Sequence, residues 1–187
     1  MSGLSGASSG HGKVVVIRAM SLDGFIAGPG DAMDWIFEIV SPEMFEGNAA
    51  AAGALLVGRR TYDVGKRMEA DRPGSSDYPV SGRTFVLTHR PPELPDPHVT
   101  FLTGDIAEAV ATARAAAGGK DLEILGADVA GQCLRRGLVD ELLVYVLPVL
   151  LGDGVRLTPP GLTRTDLDLL TSSTSGGVTV LRFRVRR

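Results

Sequence analysis

Two adjacent arginines behind a glycine are the residues of this chain best suited to hold a charged ligand. Gly58-Arg59-Arg60-Thr61 follows the uncharged run Ala54-Leu55-Leu56-Val57 and precedes a polar, helix-compatible stretch. It therefore reads as a buried strand turning sharply into a helix start. The first amides of a helix lack partners and its dipole favours negative charge, so a phosphate is welcome there. Two guanidinium forks and the Thr61 hydroxyl add donors of the right kind. Taken alone, the stretch also fits two solvated arginines on an ordinary βα turn, and both readings stay open.

The elements that would position this turn follow in order. Val14 to Met20 opens with four β-branched residues and predicts a first strand buried on both faces. Residues 21–35 read as a long loop carrying Phe25, Ile26, Met33 and Trp35, of the length that serves as a lid or binding loop. Ser41-Pro42-Glu43 predicts a helix start, with Gly53 as its stop. Residues 68–83 read as an exposed loop, and Thr84–Leu87 and Val99–Leu102 as strands. Asp105 to Ala117 has helical apolar spacing, with Asp105 and Glu108 close to a capping box and Gly118-Gly119 as the stop. Leu122–Leu125 then leads into a second strand-turn-helix unit at Gly126-Ala127-Asp128-Val129, closed by Gly137. Leu142–Leu147 is a further apolar strand. In the last segment Leu181, Phe183 and Val185 alternate with Arg182, Arg184 and Arg186, a strand with one wet face whose arginines read as edge protection.

Strands alternating with helices, then strands alone, imply a largely parallel sheet covered by helices and finished by an antiparallel strand or hairpin. Ligands of such sheets sit at the carboxyl ends of the strands. Those ends are Met20-Ser21, Gly58 to Thr61, Thr88-His89-Arg90 and Gly126 to Asp128, and they are expected to face one cleft.

Composition narrows the class. The chain has 187 residues, 44% hydrophobic and 22% charged, which suits one domain with a substantial core. A net charge of -3 argues against a nucleic-acid partner, because no broad basic excess exists to neutralise a phosphate backbone. The single cysteine, Cys133, permits no intrachain disulfide and reads as a buried helix residue. No apolar run approaches the roughly 20 residues that span a bilayer, so no membrane association is expected and the cytoplasm is the default. Residues 1–12 read as a flexible leader and 13–187 as one domain. His11, His89 and His98 have no metal-ligand spacing, and no metal is expected.

With these residues in view, the chain resembles the dihydrofolate reductase family, and within it the reductase domain at the C-terminal end of bifunctional riboflavin-biosynthesis deaminase-reductases. The likeness runs from about Val14 to Val185. It is carried by Ala19-Met20-Ser21-Leu22-Asp23-Gly24, Gly58-Arg59-Arg60-Thr61-Tyr62, Leu125-Gly126-Ala127, and Gly137 to Leu142 with Pro148 to Gly152. The resemblance implies an α/β, three-layer fold with a mostly parallel central sheet, an antiparallel C-terminal strand and helices on both faces. It implies NADPH as cofactor, with Gly58, Arg59, Arg60 and Thr61 cradling phosphates, one arginine being able to meet the adenosine 2′-phosphate. Thr88, His89 and Arg90 would lie along the adenosine half. Gly126, Ala127, Asp128 and Val129 would approach the pyrophosphate, and Ala19, Ser21, Asp23 and Gly24 the nicotinamide end.

The substrate side is less sharply marked. Ala32-Met33-Asp34-Trp35 is similar to the Ala-Met-Pro-Trp segment of folate reductases, with aspartate replacing proline, and Glu43 falls near their helix acid. Asp34 and Glu43 are thus the candidate proton donors, with a structural role at a helix start as the alternative for Glu43. Asp23 could equally be a turn former before Gly24. Two departures stand out: no H-x-E with P-C-x-x-C is present, so a fused zinc deaminase is not expected, and Arg18 stands where a lysine is more usual. The resemblance implies reduction of 5-amino-6-(5-phosphoribosylamino)uracil. Dihydrofolate or pterin reduction, or NADPH binding without turnover, is the alternative. A homodimer is expected from the family likeness and the apolar C-terminal strands.

Overall fold

The computed structural model describes residues 12–41, 44–45, 50–71, 82–94 and 96–187. Along the chain they form β1 (Val14–Ser21), β2 (Phe25–Ala27), a 3-10 turn (Pro29–Asp31), α1 (Asp34–Phe37), β3 (Ala52–Gly58), α2 (Arg59–Asp71), β4 (Arg83–Leu87) and β5 (Val99–Leu102). There follow α3 (Ile106–Ala116), β6 (Asp121–Leu125), α4 (Ala127–Arg135), β7 (Glu141–Leu147), β8 (Val155–Arg156), β9 (Leu167–Ser175) and β10 (Val178–Val185).

Eight strands make one sheet in the order β5-β4-β3-β6-β1-β7-β10-β9, while β2 and β8 form a separate ribbon. Pairing is parallel from β5 through β7. It becomes antiparallel where β10 meets β7 and β9. The parallel strands are uniformly apolar because both of their faces are covered. Val14 and Val16 of β1 enter the core beneath α3 and α4, with Ile106, Val110, Val129 and Cys133. Val15 and Ile17, one residue out of step, pack on the other face with Ile36, Val40 and Tyr145. Strand alternation thus divides one β-branched run between two cores. On that second face Tyr62 of α2 packs against Leu55, Val57 and Val86, and edge-on to Phe101 at 5.5 Å between ring centroids.

The helix over 106–116 starts as predicted, with the Asp105 carboxylate accepting from the Ala107 amide at 2.7 Å. Cys133 is fully buried, and burial pushes its thiol up to about 12. Four expectations are corrected. The stretch 21–35 is not one loop, since Phe25–Ala27 pairs with Val155–Arg156 and Asp34–Phe37 is helical. Gly53 is not a helix stop but lies inside β3, where a Cβ would come 2.1 Å from the Ala117 carbonyl oxygen; it is there for close approach. Helix α2 runs on to Asp71, so the polar loop cannot begin at residue 68.

The arginines of β10 do not guard an edge, because β9 lies outside that strand. Arg182 instead donates from Nε to the Glu141 carboxylate at 2.5 Å, and Lys13 Nζ reaches the other oxygen at 2.5 Å. Burial alone would raise the Glu141 carboxyl, but these two cations hold it below its usual range. The expected leader, apart from Gly12, and the helix start at Pro42-Glu43 lie outside the described residues.

Candidate functional site

Because β3, β4, β6 and β1 run parallel, their carboxyl ends open on the same side of the sheet. A cleft of about 530 Å³ lies there. Its wall brings together Ala19, Gly58, Arg59, Arg60, Thr61, Thr88, His89, Gly126, Ala127, Asp128 and Val129, residues drawn from four strand tips and all expected from the sequence. Ser21, Asp23, Gly24 and Arg90 do not line it. Asp34 lines a smaller neighbouring hollow of about 260 Å³ with Arg67 and Asp71. Glu43 falls outside the described residues.

The two strand-to-helix turns interlock. Gly126 has φ of 96°, a conformation L side chains rarely adopt, and a Cβ on it would stand 2.5 Å from Thr61 Oγ1. A Cβ on Gly58 would come 3.1 Å from Val129 Cγ2. Each glycine therefore leaves room that the opposite turn uses. Helices α2 and α4 both begin directly after these glycines, and α4 has no side-chain cap, so its first amides are open to a ligand.

The arginines are already engaged. Arg59 donates from Nε to both carboxylate oxygens of Asp63, at 2.8 and 3.0 Å, and from Nη1 to the Arg90 carbonyl at 2.8 Å. That carbonyl is held by the Thr88 turn, where the Arg90 amide donates to Thr88 Oγ1 at 3.1 Å. Thr88 and Arg90 thus orient Arg59. Arg60 forms a two-pronged pair with Asp31, Nε to Oδ2 at 2.9 Å and Nη2 to Oδ1 at 2.8 Å. This hydrogen-bonded pairing raises the Arg60 guanidinium above its ordinary value. Asp31 also lies 3.7 Å from Arg67. It is the one non-glycine residue with positive φ among the described residues, at 66°. Sequence reasoning passed over Asp31; the only local signal was its place after Pro29-Gly30, where a turn with left-handed backbone is common.

Asp23 acts as a pin. Its carboxylate accepts from Ser21 Oγ at 2.6 Å and from the amides of Leu151 and Gly152 at 3.1 and 2.8 Å. The Ser21 hydroxyl, with those two amides, holds its carboxyl down to about 2. The Asp23 carboxylate thus joins the end of β1 to the segment after β7. In the cleft wall, Arg18 is buried and donates from Nη1 to the Ile124 carbonyl at 3.1 Å.

Away from the turns the wall changes character. Ile26, Met33, Ile36, Phe37, Phe45 and Val155 make that end apolar. One cleft thus joins a donor-rich end fit for phosphates to an apolar end fit for a flat ring.

Comparison with known proteins identifies the family and the fold. A family model described as the RibD C-terminal domain matches residues 12–181. The Bacillus subtilis protein YwjB, whose name carries no activity, is 28% identical over 148 residues, covering 78% of this chain and 82% of its own. A crystal structure from Shewanella sp. PV-4, provisionally named a riboflavin biosynthesis protein, superposes with a TM-score of 0.79 at 26% identity, covering 94% of this chain and 99% of that one. Dihydrofolate reductase from Enterococcus faecalis, solved with NADP(H), shares the fold with a TM-score of 0.65 at 15% identity, covering 95% of this chain and 98% of that one. The α/β fold with a mostly parallel sheet, antiparallel at one edge, is therefore that of dihydrofolate reductase. No helix among the described residues is long and apolar enough to cross a membrane.

Proposed function

We infer the activity from a plain premise: the chain belongs to the RibD C-terminal domain family, a family of riboflavin-pathway, reductase-like domains. We propose that it is an NADPH-dependent reductase of a small heterocyclic substrate. The observation that carries this reading is the convergence of two interlocked glycine turns and the Arg59 fork on one end of a cleft whose other end is apolar. The residues fit a dinucleotide. Gly58 and Gly126 let the two turns close against each other, so that the first amides of α2 and α4, with Thr61 Oγ1, can supply donors for phosphate oxygens side by side. Arg59, held in place by Asp63 and the Arg90 carbonyl, would meet the extra phosphate that separates NADPH from NADH, and Thr88 and His89 would flank the adenosine side. Bound NADPH supplies a hydride.

What the chain adds is position and dryness. Ala19 at the tip of β1 would meet the nicotinamide end, and Ile36, Phe37 and Phe45 would keep water from a ring seated against it. Asp34 stands outside this wall, so the reading assigns it no proton transfer. The reading includes a homodimer through the free edge at β9, where Leu167 and Leu169 are exposed; light scattering at micromolar concentration checks it.

The test is a thermal-shift comparison of NADPH with NADH. A ligand at 100 times its dissociation constant adds about 2.7 kcal/mol of stability, a readable rise in Tm. NADPH should stabilise more than NADH. No shift with either would sink the reading.

A further inference from the structure

We infer that Asp128 is an affinity-limiting residue of the cofactor end: its carboxylate opposes the pyrophosphate at the α4 turn and so keeps the dinucleotide exchangeable. The inference rests on the reductase reading above and assigns this side chain a role of its own. The two interlocked turns differ in the sign of the charge they carry. Helix α2 opens with Arg59 and Arg60 and has no acid in its first turn. Helix α4 has Asp128 in its first turn, two residues past Gly126. Asp128 is exposed and lines the cleft together with Gln132. One helical turn along, the Gln132 side chain donates from Nε2 to Asp128 Oδ2 at 2.7 Å and holds the carboxylate in the wall.

A neutral amide orients that carboxylate without cancelling its charge. No ion pair reaches Asp128 among the described residues. The arginines of the cleft wall are engaged elsewhere: Arg59 with Asp63, Arg60 with Asp31, and Arg18 with the carbonyls of Ile17 and Ile124. A phosphate accepting from the first amides of α4 would stand within about one helical turn, roughly 5.4 Å, of the carboxylate. Physiological salt screens charges only beyond about 8 Å, so the two repel. At that range, in a partly wet site, like charges lower affinity by roughly three- to tenfold. The same acid suits the dipole of α4, which accounts for its presence where a ligand disfavours it. One charge therefore steadies the helix and loosens the grip on the cofactor.

The test is calorimetric titration of the whole chain and its Asp128→Asn variant with NADP+ and, separately, with adenosine 2′-monophosphate. Asparagine keeps the shape of the side chain and removes its charge. The mononucleotide carries the adenosine and its 2′-phosphate but no pyrophosphate, so it places no charge at the α4 turn. NADP+ should bind the variant about three- to tenfold more tightly than the parent. The mononucleotide should bind both proteins equally. The gain for NADP+ should shrink as salt is raised from about 0.1 M to about 1 M. Unchanged NADP+ binding by the variant would overturn the inference. So would weaker binding, which would make the carboxylate an acceptor for a ribose hydroxyl. An equal gain for the mononucleotide would place the effect away from the pyrophosphate, and a gain indifferent to salt would show that charge is not its cause; either result also overturns the inference. Failure of the parent protein to bind NADP+ at all would instead strike the reductase reading.

Discussion

The two strand-to-helix turns at the donor-rich end solve one problem in different ways. At β3–α2 the turn carries charge: Arg59 and Arg60 follow Gly58, and each guanidinium is held by a carboxylate before any ligand arrives. At β6–α4 the turn carries almost none, and it offers backbone amides released by a glycine at φ 96°. Side chains can be re-aimed at small cost, whereas a backbone conformation only glycine tolerates cannot. The second turn should therefore be the brittle one and the first the adjustable one.

Gly126→Ala tests the brittle side and should have the largest effect. It combines an unfavourable φ with a Cβ placed 2.5 Å from Thr61 Oγ1, so a loss of about 1–3 kcal/mol in stability is expected. The NADPH-induced rise in Tm should vanish with it. Adding Thr61→Ala removes the contact but not the strain, and should recover less than half of the loss in a denaturant titration. Full recovery would mean that crowding alone, and not backbone, defines this turn.

The adjustable turn makes a finer prediction, because its arginines are held by different partners. Arg59 is oriented by Asp63 and the Thr88 turn beside the expected adenosine end, whereas Arg60 is tied to Asp31. Arg59→Ala should weaken NADPH by about tenfold, roughly 1.4 kcal/mol, with a smaller loss for NADH. Arg60→Ala should cost less than half as much in NADPH binding. Equal losses in isothermal titration would show that both forks meet the ligand and that the Asp31 pair gives way on binding.

How much of this was legible follows the same division between local and distant cause. The parallel strands are readable because a strand covered on both faces needs apolar, β-branched residues throughout, as in Val14-Val15-Val16-Ile17 and Ala54-Leu55-Leu56-Val57. The glycine turns are readable because their reason sits in the turn itself. Strand β9, Leu167–Ser175, is exposed at seven of its nine residues and ends in Thr171-Ser172-Ser173-Thr174-Ser175, so that half offers neither alternation nor an apolar run. Its position is fixed by pairing with β10 alone. The ties made by Asp31 and Asp23 span 29 residues to Arg60 and 129 to Gly152, distances over which no pattern in a single sequence points from one partner to the other. Asp34 shows a related limit: its neighbours match a known segment, and such a match does not say which of two adjoining hollows the residue lines.

The Asp23 pin yields a pH prediction of smaller size. A carboxyl held at about 2 against an ordinary 3.8 favours the folded state whenever it is ionised. Its contribution is complete above about pH 4 and is lost as pH falls through 3.8 toward 2. Asp23→Asn keeps the bond to Ser21 within reach but removes the charge that the Leu151 and Gly152 amides favour. The variant should be less stable at neutral pH, and its difference from the parent should close between pH 4 and pH 2 in acid unfolding. A gap that stayed constant over that window would mean that shape, not ionisation, holds the pin.

Gly58→Ala closes the comparison with the smallest expected change. Its Cβ would meet Val129 Cγ2 at 3.1 Å, a contact that a shift of a few tenths of an ångström relieves, and its φ lies outside the left-handed region. Replacing a glycine by alanine in an allowed conformation stabilises by about 0.4–1 kcal/mol through the unfolded chain, which offsets much of the crowding. Net stability should therefore move by less than about 1 kcal/mol, with the NADPH response retained. Two glycines that head matching turns would then differ severalfold in what their loss costs. The residue in front of the arginines would be replaceable, and the one facing Thr61 would not.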